Sequence, residues 1–77
     1  MPAILRESGF RLFFYSNEKN EPPHIHVKYQ SAVAKFWIQP VSLARNLGMN
    51  TAELRRAFNL VLKYENLIKE KWNEYFG

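Results

Sequence analysis

The chain has 77 residues without cysteine, and its 11 lysines and arginines against seven glutamates give a formal net charge of +4 at pH 7. This length holds one hydrophobic core and therefore one domain, residues 1–77, and the lack of cysteine excludes disulfides and thiolate metal sites. A composition of 47% hydrophobic and 16% aromatic residues argues against disorder, and the positive charge favours acidic partners.

Residues 1–48 form a β-rich part. The stretch "FRLFFY", residues 10–15, is aromatic and follows Gly9, which favours a strand. Residues 16–23, "SNEKNEPP", collect turn formers and charges, so we expect an exposed loop there.

Two further strands follow this loop. "HIHVKY", residues 24–29, and "AVAKFWI", residues 32–38, alternate with period two and predict a hairpin. Gln30–Ser31 connects them and does not specify a turn type. Residues 41–48 form either a fourth strand or a connector with one helical turn.

The signals for a helix begin at Asn50, a good N-cap residue, and Glu53 stands where a capping box needs its acid. Apolar residues then recur at three- and four-residue steps, which predicts one long helix over residues 50–76, with a break near Asn66 as the alternative. The predicted fold is α+β: an antiparallel meander of three to four strands packed against one long C-terminal helix.

Alternation along the predicted strands separates two faces of the sheet. The apolar set, which should face the helix, is Phe10, Leu12, Phe14, Ile25, Val27, Tyr29, Ala32, Ala34, Phe36 and Ile38. The opposite face should be basic and aromatic, and it carries Arg11, Phe13, Tyr15, His24, His26, Lys28, Lys35 and Trp37.

Three interpretations compete for this basic and aromatic face. A small partner protein or a second copy in a homodimer could bury its aromatic residues. Single-stranded RNA could stack on them while Arg11, Lys28 and Lys35 meet phosphates. In the third interpretation, the aromatic residues pack under neighbouring loops and no site exists.

His24 and His26 also have three possible roles. They could share a metal ion with Glu18 or Glu21, but the usual further ligands are not evident, so we predict no metal site and no cofactor. They are candidate catalytic residues, because a histidine could act as general acid or base in metal-independent RNA cleavage. Alternatively, they anchor the loop to the strand by hydrogen bonds.

Arg55 and Arg56 are a secondary contact candidate, because cations near a helix N-terminus oppose the helix dipole and could instead meet a phosphate or an acidic partner. No apolar run has the length of a membrane span and the N-terminus lacks a signal-peptide core, so we expect a cytoplasmic protein without membrane contact.

The stretches "FYSNE", "PPHIHV", "AKFWI" and "ELRRAFNLVLKYENLIKEKWNEYF" resemble, over nearly the whole chain, the small bacterial family described as domain of unknown function 4160. Its most specific element is Pro-Pro-His-x-His, matched by residues 22–26. Many members carry a histidine before the prolines where this chain has Lys19, which removes the easiest third metal ligand. Members often have glycine where the hairpin has Gln30.

Members of that family are short bacterial proteins, many encoded beside another small protein as in toxin–antitoxin pairs, so the resemblance implies a protein partner. We therefore expect a small bacterial interaction module, one half of a toxin–antitoxin-like pair, that binds an acidic partner protein or RNA. The alternative is a metal-independent ribonuclease that uses His24 or His26. Whether the chain is an enzyme stays open at this point.

Overall fold

The computed structural model, which describes residues 3–15 and 20–76, contains five antiparallel strands followed by two helices. Strand order in the sheet equals chain order, so the sheet is a meander with the first and last strands at its edges. The α+β class is confirmed, but the predicted count of three to four strands is wrong. The strands are β1 (Ala3–Glu7), β2 (Phe10–Phe13), β3 (His24–Tyr29), β4 (Ala32–Ile38) and β5 (Val41–Leu47).

The first strand, β1, is the element that the sequence prediction missed. It pairs with β2 through a two-residue turn at Ser8 and Gly9, whose φ angles are 54° and 82°. Two successive positive φ angles are typical of the type I′ turn, whose twist suits a hairpin. Gly9 is also required for space, because a Cβ there would lie 3.2 Å from the ring of Tyr29.

The inner face of the sheet is the predicted apolar face. Its residues are buried or partly buried against the helices, as the alternation predicts. The undecided segment before Gly48 is the strand β5. The buried core combines Phe10, Leu12, Phe14, Ile25, Val27, Ala32, Ala34, Phe36 and Ile38 of this face with Met49, Ala57, Leu60, Val61, Ile68 and Trp72.

The C-terminal part forms two helices, α1 (Thr51–Lys63) and α2 (Glu65–Phe76), instead of the one predicted long helix, and the break lies close to the alternative position, Asn66. The predicted capping box at Asn50 is confirmed: Glu53 N–H donates to Asn50 Oδ1 at 2.8 Å, and Asn50 N–H donates to Glu53 Oε1 at 3.0 Å. The helical path breaks at Tyr64, whose backbone (φ −108°, ψ 19°) is not helical. No helix in the described part is long and apolar enough to cross a membrane.

A polar contact connects the residues at the helix break to the edge strand β1. Tyr64 Oη donates a hydrogen bond to Glu7 at the end of β1, and Lys63 Nζ donates to the same carboxylate at 3.1 Å. The bond from Tyr64, followed by that from Lys63, lowers the pKa of Glu7, and the bond to Glu7 raises the pKa of Lys63. The junction between the helices is thereby tied to the edge of the sheet.

This contact predicts a pH-dependent stability. A lowered pKa in the folded state stabilises the fold above the ordinary carboxyl pKa, and the stabilisation is lost as pH falls through the lowered value. Tyr64→Phe removes the bond that lowers the pKa most. We expect this variant to be less stable than the wild type near neutral pH and equally stable in strong acid, as measured by denaturant unfolding across pH. Tyr75→Phe, at an exposed tyrosine, should show no such pH-dependent difference. A constant difference for Tyr64→Phe would contradict this assignment.

The β3–β4 turn contains a backbone strain that can be tested. Gln30 has φ 55°, which costs an L-residue other than glycine about 1–2 kcal/mol. Gln30→Gly removes this cost but adds unfolded-state entropy worth about 0.4–1 kcal/mol. We expect a net stabilisation of about 0.5–1 kcal/mol in thermal unfolding. The matched control Ser31→Gly should destabilise, and a lower melting temperature for Gln30→Gly than for Ser31→Gly would count against the strain.

Candidate functional site

The face of the sheet turned away from the core, here called the outer face, carries two rows of side chains across the strands. In one row, Arg6 of β1 pairs with Arg11 of β2, which pairs with Lys28 of β3. In the next row, Phe13 pairs with His26, which pairs with Lys35, which pairs with Arg45. Rows two residues apart on a strand lie about 7 Å from each other. The outer face therefore presents cations from all five strands.

Both histidines, which the alternation assigns to this face, are buried. His24 is 0% exposed and His26 is 7% exposed, and Phe13 beside them is 2% exposed. The reason is a set of aromatic contacts: the His26 ring stacks on Phe13 at 5.6 Å and meets the edge of Tyr15 at 4.5 Å. Phe13 and His26 therefore cover the middle of the sheet and form the floor of the outer face.

His24 joins the loop before β3 to the rest of the fold. Its Nδ1 donates a hydrogen bond to the carbonyl oxygen of Pro22 at 2.9 Å, which holds the imidazole against the end of the loop. Its ring lies 5.8 Å from the Trp37 ring of β4 and 4.9 Å from the Trp72 ring of α2. Asn20, Glu21 and Pro22 are exposed, as predicted for the loop, whereas residues 16–19 lie outside the described residues.

A hollow of about 440 Å³ lies on the outer face above β3, β4 and β5. Within this central hollow, Lys35 binds the carboxylate of Glu21, and its ammonium lies 4.7 Å from the Trp37 ring centroid. Tyr15, which is 40% exposed, stands at the margin. The predicted residues Tyr15, His26, Lys35 and Trp37 thus come together, and Glu21, Val33, Ala34, Ala44, Arg45 and Leu47 complete the lining.

Arg45 reaches the central hollow because of an irregularity in β5. Strict alternation would put Leu43 and Arg45 on the same face. The register instead pairs Leu43 with Phe36 of the inner face and Arg45 with Lys35 of the outer face, so Ala44 is an extra residue in β5. Arg45 was not predicted as a site residue, because the residue types of "VSLARNL" give no signal of a bulge.

A second depression, the basic hollow, holds the first row of cations. It measures about 310 Å³, and Arg6, Arg11 and Lys28 line it. The guanidinium of Arg11 lies 5.1 Å from the Phe13 ring centroid, and its Nε is buried without a hydrogen-bond partner among the described residues. Arg6 was not predicted as a residue of the outer face, because the strand β1 was not predicted. An anion in this hollow would meet three cations at once.

Arg55 and Arg56 do not join this face. The guanidinium of Arg56 lies 5.0 Å from the Phe10 ring centroid and 5.6 Å from that of Tyr29, beside α1. Arg55 lines a groove with Phe36 and Leu43 on the inner side of β5. The two arginines thus occupy different places, and neither extends the outer face.

The rings of the two candidate metal ligands, His24 and His26, lie 5.2 Å apart. Within residues 3–15 and 20–76, no three side chains among His, Cys, Asp and Glu are grouped to hold a metal ion. Glu21 Oε1 lies 3.9 Å from His24 Nδ1, but the same oxygen also binds Lys35. Glu18, the other acid considered, lies outside the described residues.

The chain matches the model of a protein family. The model of the family described as "Domain of unknown function (DUF4160)" matches residues 9–73, from the β1–β2 turn to the last turn of α2. The chain belongs to this family. The matched range contains both histidines and every outer-face cation except Arg6. No curated protein and no solved structure matches the chain.

The position of His24 in this DUF4160 protein predicts a structural role. His24→Ala would remove a fully buried ring between Trp37 and Trp72 and leave the Pro22 carbonyl without its donor. We expect a loss of about 2–4 kcal/mol in the free energy of unfolding. The control Lys28→Ala, at an exposed position of the same strand, should change stability by less than about 0.5 kcal/mol. Equal stability of the two variants would refute the structural role.

Proposed function

We propose that the protein is a small interaction module that binds single-stranded RNA through its outer face. The observation that carries the proposal is that cations from all five strands lie on the outer face, beside a hollow with aromatic residues at its margin. The face of a β-sheet can bind single-stranded nucleic acid by stacking its bases on aromatic rings, while cationic side chains contact the phosphates. Tyr15 and Trp37 offer ring surface at the central hollow, and Arg6, Arg11 and Lys28 offer charge in the basic hollow.

The distribution of acids supports an anionic ligand. Glu21 is the acid that lines the central hollow, where it binds Lys35. No ion pair among the described residues includes Arg6, Arg11, Lys28 or Arg45, so their charge is not neutralised within that part of the chain. Neutralising phosphates releases counterions from the nucleic acid, which contributes affinity in proportion to the number of contacts.

The same proposal includes the setting that the family resemblance implies. The protein would act in the bacterial cytoplasm as one half of a toxin–antitoxin-like pair, with an acidic protein as its second partner. The formal net charge of +4 supports an acidic partner, because opposite charges accelerate encounter and exclude basic competitors.

Salt-dependent binding tests the RNA proposal. We expect a fluorescein-labelled single-stranded RNA to bind in fluorescence anisotropy, with log affinity falling linearly against log salt concentration. Arg6→Gln/Lys28→Gln removes two basic-hollow cations and should reduce the magnitude of that slope by about 1.4, or about 0.7 per phosphate contact. Lys69→Gln/Lys71→Gln on α2 changes the net charge equally and should leave the slope nearly unchanged. Equal effects of the two pairs would reject a defined site, and binding of polyglutamate instead of RNA would assign the outer face to an acidic protein.

A second candidate function, metal-independent RNA cleavage, is favoured by one observation. His26, Tyr15 and Lys35 line the same hollow, with the His26 and Tyr15 rings 4.5 Å apart. In such cleavage the 2′-oxygen attacks phosphorus and the bond to the 5′-oxygen breaks, giving a 2′,3′-cyclic phosphate and a 5′-hydroxyl. His26 would accept the 2′-hydroxyl proton, Tyr15 would donate its hydroxyl proton to the leaving 5′-oxygen, and Lys35 would stabilise the charge on the phosphoryl oxygens.

Product analysis in EDTA tests this second candidate. We expect cyclic-phosphate ends with the wild type and a rate at least about 100-fold lower with His26→Gln, because a general acid or base contributes about 10²–10⁴-fold. The RNA affinity of His26→Gln, measured in parallel, should stay within about twofold. Cleavage that persists in His26→Gln, or the absence of cyclic-phosphate ends with the wild type, would reject catalysis by His26.

A further inference from the structure

The open edge of β5 is a second surface, separate from the hollows of the outer face. Among the described residues, β5 pairs with β4 alone, through six of its seven residues from Val41 to Leu47, with Ala44 as the bulged residue. An edge strand presents a row of backbone N–H and C=O groups that another extended chain can pair with. Natural edges are often short or covered, and this edge is longer than the five residues of β1 at the other side of the sheet.

An apolar groove, here called the edge groove, runs beside this edge on the inner side of the sheet. It measures about 330 Å³ and lies between β5 and α1, with Phe36, Leu43, Leu54 and Phe58 as its apolar lining. Leu43 is 47% exposed, so its side chain is only half covered by this chain. Burying the rest of it would contribute to binding in proportion to the apolar area removed from water.

The charges near the edge are positive on both sides of the sheet. Arg45 stands on the outer side of β5, and Arg55 stands at the rim of the edge groove with Thr51. No acidic side chain lines the groove within the described residues. Glu53, one residue before Leu54, already accepts a hydrogen bond from the Asn50 backbone. A bound segment that carries negative charge would therefore complement the cations beside this edge.

We propose that β5 binds an extended segment of an acidic partner protein, which adds to the sheet as a sixth strand. Because side chains of a strand alternate between faces, every second residue of the segment would enter or border the edge groove and should be apolar. The residues between them would face the outer side next to Arg45 and should be acidic, with a further acid beside Arg55.

A second copy of this chain fits the edge less well than an acidic segment. Pairing β5 with its own copy would bring two Arg45 and two Arg55 side chains to one interface, between chains that each carry a net charge of +4. Like charges at an interface oppose association. The proposal does not depend on RNA binding, because Arg6 and Lys28 of the basic hollow take no part in the edge groove.

A peptide of about seven residues, the length of a typical strand, is the probe. Glutamate and valine alternate in its sequence, and a fluorescein label reports binding by anisotropy. We expect Leu43→Lys to weaken binding about tenfold or more, because the lysine puts a charge where the peptide needs an apolar contact. Leu62→Lys is the matched control, since Leu62 is 45% exposed on α1 but does not line the edge groove. It should change the affinity less than twofold.

Charge and order of the peptide provide the remaining comparisons. One comparison peptide alternates lysine with valine, which reverses its charge. The other keeps the glutamate and valine composition but does not alternate the two residues. Both should bind at least about tenfold more weakly than the alternating glutamate–valine peptide. Amide chemical shifts should move along β5, which reports added backbone pairing. The proposal is overturned if Leu43→Lys binds the alternating peptide like the wild type, if shifts move on the outer face instead, or if sedimentation shows a dimer of this chain that Leu43→Lys dissociates. Loss of RNA binding in Arg6→Gln/Lys28→Gln with peptide binding intact would confirm that the two surfaces are independent.

Discussion

The burial of His24 is the contact on which the arrangement of the two faces depends. Its ring touches Trp37 from the outer face and Trp72 from the helical layer, and its Nδ1 holds the Pro22 carbonyl of the preceding loop. A small domain has few residues with which to cover a sheet on both sides. By placing one polar ring between two tryptophans, this chain connects the loop, β3, β4 and α2 at one point, and the hydrogen bond to Pro22 offsets part of the cost of burying the imidazole.

The outer face is consequently divided into a floor and a rim. Phe13 and His26 are buried in the floor, where their rings stack on each other and stabilise β2 against β3. Arg6, Lys28 and Arg45 are exposed on the rim. Changes in the floor act on folding as well as on any ligand, whereas changes in the rim act mainly on charge. The Pro-Pro-His-x-His stretch of this chain thus places His24 between two tryptophans and His26 in the floor beside the central hollow.

Much of the fold follows from local patterns in the sequence. Alternation along β2, β3 and β4 identified the inner face because each strand is half covered by the helices, and the Asn50–Glu53 capping box lies within four residues of chain. Ser8–Gly9 is a recognisable turn pair and could have revealed β1.

The other features that were not predicted involve distant partners or backbone geometry. The helix break, predicted only as an alternative near Asn66, lies at Tyr64, which contacts Glu7 far away in sequence, while the apolar periodicity continues through it. The bulge at Ala44 leaves no trace in the residue types around it.

The pairing of charges explains where the net positive charge lies. In the helical part, Lys69 pairs with Glu65 at 2.8 Å and Lys71 with Glu74 at 3.7 Å, while Lys63 pairs with Glu7. These exposed pairs contribute little stability, but they balance much of the charge of the helices locally. Among the described residues, the sheet has no comparable set of acids, and the cations of β1, β2, β3 and β5 remain unbalanced. Within the described residues, the unpaired cations of the sheet therefore lie on the outer face and at the β5 edge. They lie beside the hollows of the outer face, and Arg45 and Arg55 lie beside the β5 edge, which is the arrangement expected of surfaces that receive anionic partners.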